Sequence, residues 1–207
     1  AGIVFSDKLV TVSPTYAEEI RVPYYGEGLD GILRKRSDDL TGILNGIDTR
    51  LWDPAADPYI PFPFTAADTN GKTLNKAALQ RELHLEENPD IPLLTVVSRL
   101  DHQKGISLLF DAIPDNARKP WQLVLLGTGS QDLEARAEDL MRQYPQKIVS
   151  LLRYDEAMAH KLYAAGDLFV MPSRYEGFGL SLAEAMSHGV PILSSAADSL
   201  PELLASY

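Results

Sequence analysis

The sequence predicts an α/β fold built on a doubly wound parallel sheet, and three observations predict it. From residue 91 onward short apolar runs recur: "IPLLTVVS" (91–98), "WQLVLLG" (121–127), "QKIVSLL" (146–152), "DLFVMP" (167–172) and "VPILSS" (190–195). They are continuously apolar rather than alternating, as strands buried on both faces are. Helical patterns separate them, which is the signature of βαβ units with helices on both faces of one sheet.

Element by element, "DKLVTVS" (7–13) is a short strand. Ser13-Pro14 places an N-cap residue before a proline at the first helical position, so a helix begins there and continues through "TYAEEI". "GEGLDGILRKR" (26–36) ends in a short helical pattern, and "LTGILNGID" (40–48) is a strand running into an Asn-Gly turn. Residues 50–70 hold four prolines and little periodicity, an extended stretch longer than most loops within a domain, and read as an interdomain crossing. "KTLNKAALQRELHL" (72–85) is an amphipathic helix with Leu74, Ala77, Ala78, Leu79 and Leu83 on one side. Further helices are expected at 105–113, 130–144 with Ser130 as N-cap, 155–166 with Gly166 as the stop, 180–189 ending at Gly189, and 200–206.

Composition excludes several classes. The 207 residues are 45% hydrophobic and 23% charged, an ordinary globular balance with enough chain for a substantial core. A net charge of −10 argues against a nucleic-acid partner, which needs a basic surface. There is no cysteine, so disulfides, thiolate metal sites and cysteine nucleophiles are excluded. The four histidines, His84, His102, His160 and His188, lack metal-ligand spacing, and no metal is expected. No apolar run approaches the ~18 residues of a membrane-spanning helix, and no signal peptide is visible.

In open parallel sheets ligands bind beyond the carboxyl ends of the strands, so the residues after each strand carry the functional argument. "SRLDHQKG" (98–105) puts Arg99 and Lys104 in one loop before a helix. The free N–H groups of a helix start, a planar guanidinium and a point-charge ammonium together suit a diphosphate; a solvated loop with two surface cations is the alternative. "GTGS" (127–130) allows close backbone approach to a ligand, or is a plain turn. It is neither a complete GxGxxG fingerprint nor a P-loop. In "SRYEGFGLSLAEAMSHGVP" (173–191), Glu176 lies in a glycine-rich turn whose backbone donors could cradle a phosphate or a sugar hydroxyl. Glu184 lies on the following helix, where Ser181 and Glu184 also match an S-x-x-E capping box. In "NGID", Asn45 reads first as part of an Asn-Gly turn at a strand end, and it could also offer its amide to a sugar hydroxyl.

Together these motifs resemble retaining glycosyltransferases of the two-Rossmann-domain (GT-B) type. Glu176 and Glu184 resemble the E-x7-E motif of that superfamily, and "SRL…QKG" its donor-diphosphate loop. "SDKLVTVSPTYAEEI", "GEGLDGIL", "LTGILNGIDTRLWDPAADPYI" and "NKAALQREL" resemble bacterial glycogen synthases and plant starch synthases, with the motifs in order from about residue 6 to 195. The resemblance implies a GT-B architecture: residues 1–60 as the C-terminal remnant of an acceptor-side domain plus the crossing, and 61–207 as an incomplete nucleotide-sugar-binding domain. It implies retaining transfer of an α-glucosyl group from ADP-glucose or UDP-glucose to the non-reducing end of an α-1,4-glucan, by a fragment expected to be inactive alone. Arg99 and Lys104 match the basic pair that stabilises the departing diphosphate, and Glu176 matches the glutamate at the transferred glucose. Glu184 matches the carboxylate that accepts from the ribose. Gly177, Phe178, Gly179 and Leu180 match the segment whose backbone meets the donor, and Asn45 matches an asparagine reaching the cleft from the first domain. No cofactor is implied beyond the donor substrate. The partners implied are a nucleotide sugar and an α-glucan, with no nucleic acid and no membrane. The setting is cytoplasmic for a bacterial protein and plastidic for a plant one.

Three departures stand beside this. The chain reads "EGFGLSLAEA" where glycogen synthases read closer to E-P-C-G-L, "SSAADSLPEL" (194–203) lacks paired glycines, and no K-x-G-G loop is present. Two alternatives follow: a non-catalytic nucleotide-sugar or glycan-binding relative, and a GT-B enzyme using another nucleotide sugar.

Overall fold

The computed structural model describes residues 2–195 and Leu200. Apart from Leu200, the helix expected at 200–206 lies outside the described residues, as does most of the stretch 194–203. The chain divides into two compact units, one holding residues 2–46 and 175–179, the other 47–174 and 180–195.

In the first unit, β1 (Leu9–Thr11) pairs in parallel with β2 (Leu40–Gly42), in the register Leu9↔Leu40. Helix α2 (Pro14–Glu19) starts as its sequence dictates: Ser13 is extended, and its hydroxyl accepts from the Tyr16 amide at 3.0 Å, while Pro14 stands where no donor is needed. Helix α3 (Asp30–Lys35) follows. The four-residue helix α1 (Gly2–Phe5) was not foreseen. So short a helix is not self-sustaining. Arg36 holds it in place from afar, donating to the Ile3 and Ser6 carbonyls at 2.7 Å each.

The second unit contains a five-stranded sheet in the order β5-β4-β3-β6-β7, with every pairing parallel. The strands are β3 (Leu93–Val97), β4 (Gln122–Leu126), β5 (Ile148–Leu151), β6 (Leu168–Met171) and β7 (Ile192–Ser194), each inside an apolar run picked out above. The helices are α4 (Asn70–Glu82), α5 (Ile106–Asn116), α6 (Gln131–Gln143), α7 (Glu156–Ala165) and α8 (Leu180–Ser187). All five residues of β4 are buried, which is why the run carries no alternation. Val96, Leu123, Leu125 and Val170 join Phe110, Leu133, Ala137 and Leu140 in an apolar layer under α5 and α6. The neighbouring residues along the strands face α7: Phe169 meets Tyr163 edge-on at 5.5 Å. The sheet is thus covered on both faces, as expected for a doubly wound fold.

Three local expectations change. Helix α4 does not bury the face read from its apolar residues. Leu74 is 49% exposed, whereas Asn75, Lys76 and Gln80 are buried. Each is satisfied: Asn75 bonds both backbone groups of Phe62, Lys76 pairs with Asp167 at 2.6 Å, and Gln80 donates to Gln122 at 2.8 Å. Ser130 precedes α6, yet its hydroxyl makes no cap and donates instead to the Leu100 carbonyl at 3.3 Å. Gly166 ends α7 without a left-handed turn (φ −64); glycine is needed there because a Cβ would lie 2.7 Å from Thr95 Oγ1. Gly189, at φ +62, does close α8 as expected.

The proline-rich stretch 50–64 is built of turns, and several of its residues pack within the second unit. Ile60 and Phe64 cluster with Ala164 of α7, and Trp52 stacks on His160.

Candidate functional site

Strands β3, β4 and β5 step across the sheet in one direction, and β6 then returns to the other side of β3. The strand order therefore reverses between β3 and β6, where an open parallel sheet leaves a crevice for a ligand. The loops after these two strands are those that contain Arg99, Lys104 and the E-x7-E stretch.

Asp101 organises the loop after β3. Its Oδ1 accepts from the Lys104 amide at 2.9 Å, and its Oδ2 pairs with Arg99 Nη1 at 2.6 Å. Arg99 also donates to Gln103 Oε1 at 3.3 Å. The guanidinium is thus oriented while its side chain remains 67% exposed to an incoming ligand. Gly105 turns the chain into α5 at φ +64, and a Cβ there would collide with the Pro172 carbonyl at the end of β6. The Arg174 amide donates to the Gln103 carbonyl at 2.8 Å. The loops after β3 and β6 are therefore laced together at the reversal. The loop after β4 joins them through Leu100 N to Thr128 O (2.9 Å) and Ser130 N to Leu100 O (2.8 Å).

Glu184 projects from α8, whose first residue, Leu180, is exposed. The capping box is not what holds its side chain. Oε2 accepts from the Tyr163 hydroxyl at 2.9 Å, and Ser181 directs its hydroxyl to Met171 Sδ at 3.9 Å. Burial pushes the Glu184 carboxyl up, and the Tyr163 hydroxyl pulls it partly back. Among the described residues nothing bonds the other carboxylate oxygen, Oε1.

In the first unit, Glu176 and Phe178 are buried, and Gly179 adopts φ +90. Gly177 lies against Val12, whose Cγ2 is 3.1 Å from the position a Cβ would take. Asn45 is exposed, and its backbone N–H donates to the Val12 carbonyl at 3.3 Å. The glycine-rich turn and "NGID", far apart in the chain, thus meet at the same residue.

Sequence reasoning missed a cluster in the second unit. Asp57, His160 and His188 are all buried, and one ligand atom from each lies within 4.8 Å of the others, a set that could hold a divalent cation. Asp57 Oδ2 is 2.6 Å from His160 Nδ1, however, which is a hydrogen-bond length. Ligands of one tetrahedral ion with bonds of about 2.0 Å stand roughly 3.3 Å apart. The group is arranged around a proton. No spacing could have revealed it, because its members are 103 and 131 residues apart. Beside it, Lys72 Nζ donates to the Tyr163, Ala164 and His188 carbonyls at 3.1–3.3 Å, at the ends of α7 and α8. Burial lowers its pKa to about 8, with the Asp167 charge opposing the shift.

Residues 80–207 match the family described as glycosyl transferases, group 1, and residues 1–35 match the starch synthase catalytic domain. A glycogen synthase of Anaeromyxobacter sp. (strain Fw109-5) is 47% identical over 194 residues, 93% of this chain and 41% of its own length. That of Nitrosomonas eutropha is 45% identical over 213 residues, 99% of this chain and 42% of its own. The chain therefore spans about two fifths of the length of these relatives. Among solved structures, the catalytic domain of starch synthase IV from Arabidopsis thaliana, bound to ADP and acarbose, superposes with a TM-score of 0.90 at 39% identity. The match covers 97% of this chain and 41% of that one. Sucrose-phosphate synthase from Thermosynechococcus elongatus superposes with a TM-score of 0.63 at 25% identity, covering 94% and 42%. The α/β, GT-B fold class is borne out by these likenesses, and among the described residues no helix is long and apolar enough to cross a membrane. With the group 1 match extending over more than half of its length, the chain belongs to the group 1 glycosyl transferases.

Proposed function

We propose that the chain supplies the nucleotide-sugar side of a retaining glucosyl transfer of the glycogen and starch synthase type. Glucose would pass from ADP-glucose, or UDP-glucose, to the non-reducing end of an α-1,4-glucan. The observation that carries this reading is the reversal of strand order between β3 and β6, with Arg99, Lys104 and the start of α5 in the loop beside it. The likeness to a starch synthase bound to ADP supports it. On this reading residues 61–207 form the nucleotide-sugar domain, and 1–60 end the acceptor-side domain and cross from it. A bacterial protein of this kind would work in the cytoplasm, and a plant one in the plastid.

The chemistry follows from charge. As the bond from glucose C1 to the diphosphate oxygen breaks, its electron pair passes to that oxygen and the sugar becomes oxocarbenium-like. Arg99 and Lys104 stabilise the growing negative charge. Losing one such donor costs on the order of 3 kcal/mol, about a hundredfold in rate. Glu176 would attend the transferred glucose, the backbone of Gly177, Phe178, Gly179 and Leu180 would meet the donor, Glu184 would accept from the ribose, and Asn45 would offer its amide to a sugar hydroxyl. No metal or cofactor is assigned a step.

Calorimetric titration of the chain with ADP tests the reading. Wild type is expected to bind and Arg99→Ala to bind at least tenfold more weakly; absent binding, or equal binding by the variant, sinks it. A second reading, a relative using a different nucleotide sugar, draws on the "EGFG" turn and the likeness to sucrose-phosphate synthase. Tighter binding of UDP than ADP would favour it.

A further inference from the structure

Asp57 touches neither Arg99 nor Glu184, yet its buried carboxylate lies at one end of a chain of contacts that ends on Glu184. Its Oδ1 accepts from the Tyr59 amide at 2.8 Å, which fixes the turn around it. Its Oδ2 accepts from His160 Nδ1 at 2.6 Å and stands 3.3 Å from His188 Nε2. His188 Nδ1 in turn lies 3.0 Å from the Glu184 carbonyl oxygen. The Ser187 hydroxyl joins this contact, donating to the same carbonyl at 2.7 Å and standing 3.2 Å from His188 Nδ1. A neutral ring with its proton on Nε2 donates to Asp57 Oδ2 and leaves Nδ1 facing the Ser187 hydroxyl. All three side chains are shielded from water, and in that dry interior a hydrogen bond between His188 and Asp57 is stronger than it would be in water. Burial lowers the His188 pKa, and the Glu184 carbonyl and Asp57 oppose the shift.

A second line runs in parallel. Trp52 stacks on His160 with ring centroids 4.0 Å apart and planes 8° from parallel, and it meets Tyr163 edge-on at 5.6 Å. Tyr163 donates to Glu184 Oε2. Residues 52–57 thus grip Glu184 twice, at its backbone through His188 and at its side chain through Tyr163. Only Oε1 is left for a ligand among the described residues.

We propose that Asp57 is a positioning residue for Glu184, acting through His188 to hold helix α8 so that Oε1 is presented to the ribose of the bound nucleotide. This rests on the donor-site reading of Glu184 given above. It makes the turn at residues 52–57 part of the nucleotide-binding apparatus rather than a passive connection.

The test is a double-variant cycle read by ADP titration, with the melting temperature of each protein measured alongside. Asp57→Asn is expected to weaken ADP binding about fivefold or more in the wild-type background and to add nothing once Glu184→Gln is present. A lowered melting temperature with an unchanged Kd, or equal weakening in both backgrounds, overturns the proposal. His188→Asn loses the arm to Asp57. It is expected to reproduce the Asp57→Asn result, and it serves in its place if Asp57→Asn does not fold. If wild type binds no ADP, the donor-site reading is what fails. The link itself is then read by hydrogen exchange. Amides of α8 are expected to exchange at least tenfold faster in either variant while those of α6 are unchanged; unchanged exchange in α8 overturns the link.

Discussion

Helices α4 and α6 are each thirteen residues long and belong to the same unit, yet they are held by opposite physics. Helix α6 buries Leu133, Ala137 and Leu140, a stripe at helical spacing. Helix α4 buries Gly71, Asn75, Lys76, Leu79 and Gln80, and turns Leu74 to water. The α5–α6 layer is an apolar core in which apolar side chains of fitting volume can replace one another at small cost. The α4–α7–α8 layer is a polar joint in which Lys72, Lys76, Asp57 and two histidines each have specified partners. A core of the first kind supplies stability; a joint of the second kind supplies a unique geometry, and it is the one attached to Glu184.

The largest effect should come from the apolar layer. Phe110→Ala removes a 2%-exposed ring from it and should cost about 3–5 kcal/mol in urea unfolding. A loss below about 1 kcal/mol would mean that the layer is not the core it is taken for.

In the polar joint, Lys72→Met should cost about 2 kcal/mol near neutral pH by leaving three carbonyls unpartnered. The cost should change with pH in a definite direction. The folded pKa, about 8, lies below the ordinary 10.5. Between those values the unfolded chain holds a proton that the folded chain has released, so the wild-type contribution rises as pH rises across the window. The gap between wild type and Lys72→Met should widen from pH 7 to pH 10; a constant or narrowing gap would break the contrast between the layers.

Gly105→Ala should cost at least about 1–2 kcal/mol for the left-handed backbone, and the collision of its Cβ with the Pro172 carbonyl adds to that. It should also weaken ADP binding, because the loop carrying Arg99 and Lys104 must shift away from β6. Unaltered binding would mean that the lacing of the two loops is incidental.

The smallest stability effect belongs to the candidate site. Arg99→Ala removes an exposed pair with Asp101 and should change stability by no more than about 0.5 kcal/mol while cutting ADP affinity. Thermal unfolding alongside calorimetry separates the two readouts.

The sequence by itself determined the α/β class, all five strands of the parallel sheet, the Ser13-Pro14 helix start, the loop carrying Arg99 and Lys104, the turn carrying Glu176 and the helix carrying Glu184. These are local signals, in which a strand buried on both faces, a capped helix or a glycine turn leaves its mark within a few neighbouring residues. Only the tertiary structure decided which strands adjoin, and so that the order reverses between β3 and β6. It alone decided that α4 buries its polar side, since Asn75, Lys76 and Gln80 are tolerable inside only because Phe62, Asp167 and Gln122 are there to receive them. It alone brought Asp57 to His160 and His188 across more than a hundred residues, because a hydrogen bond is set by distance in space, and nothing in residue spacing encodes that distance until the chain has folded.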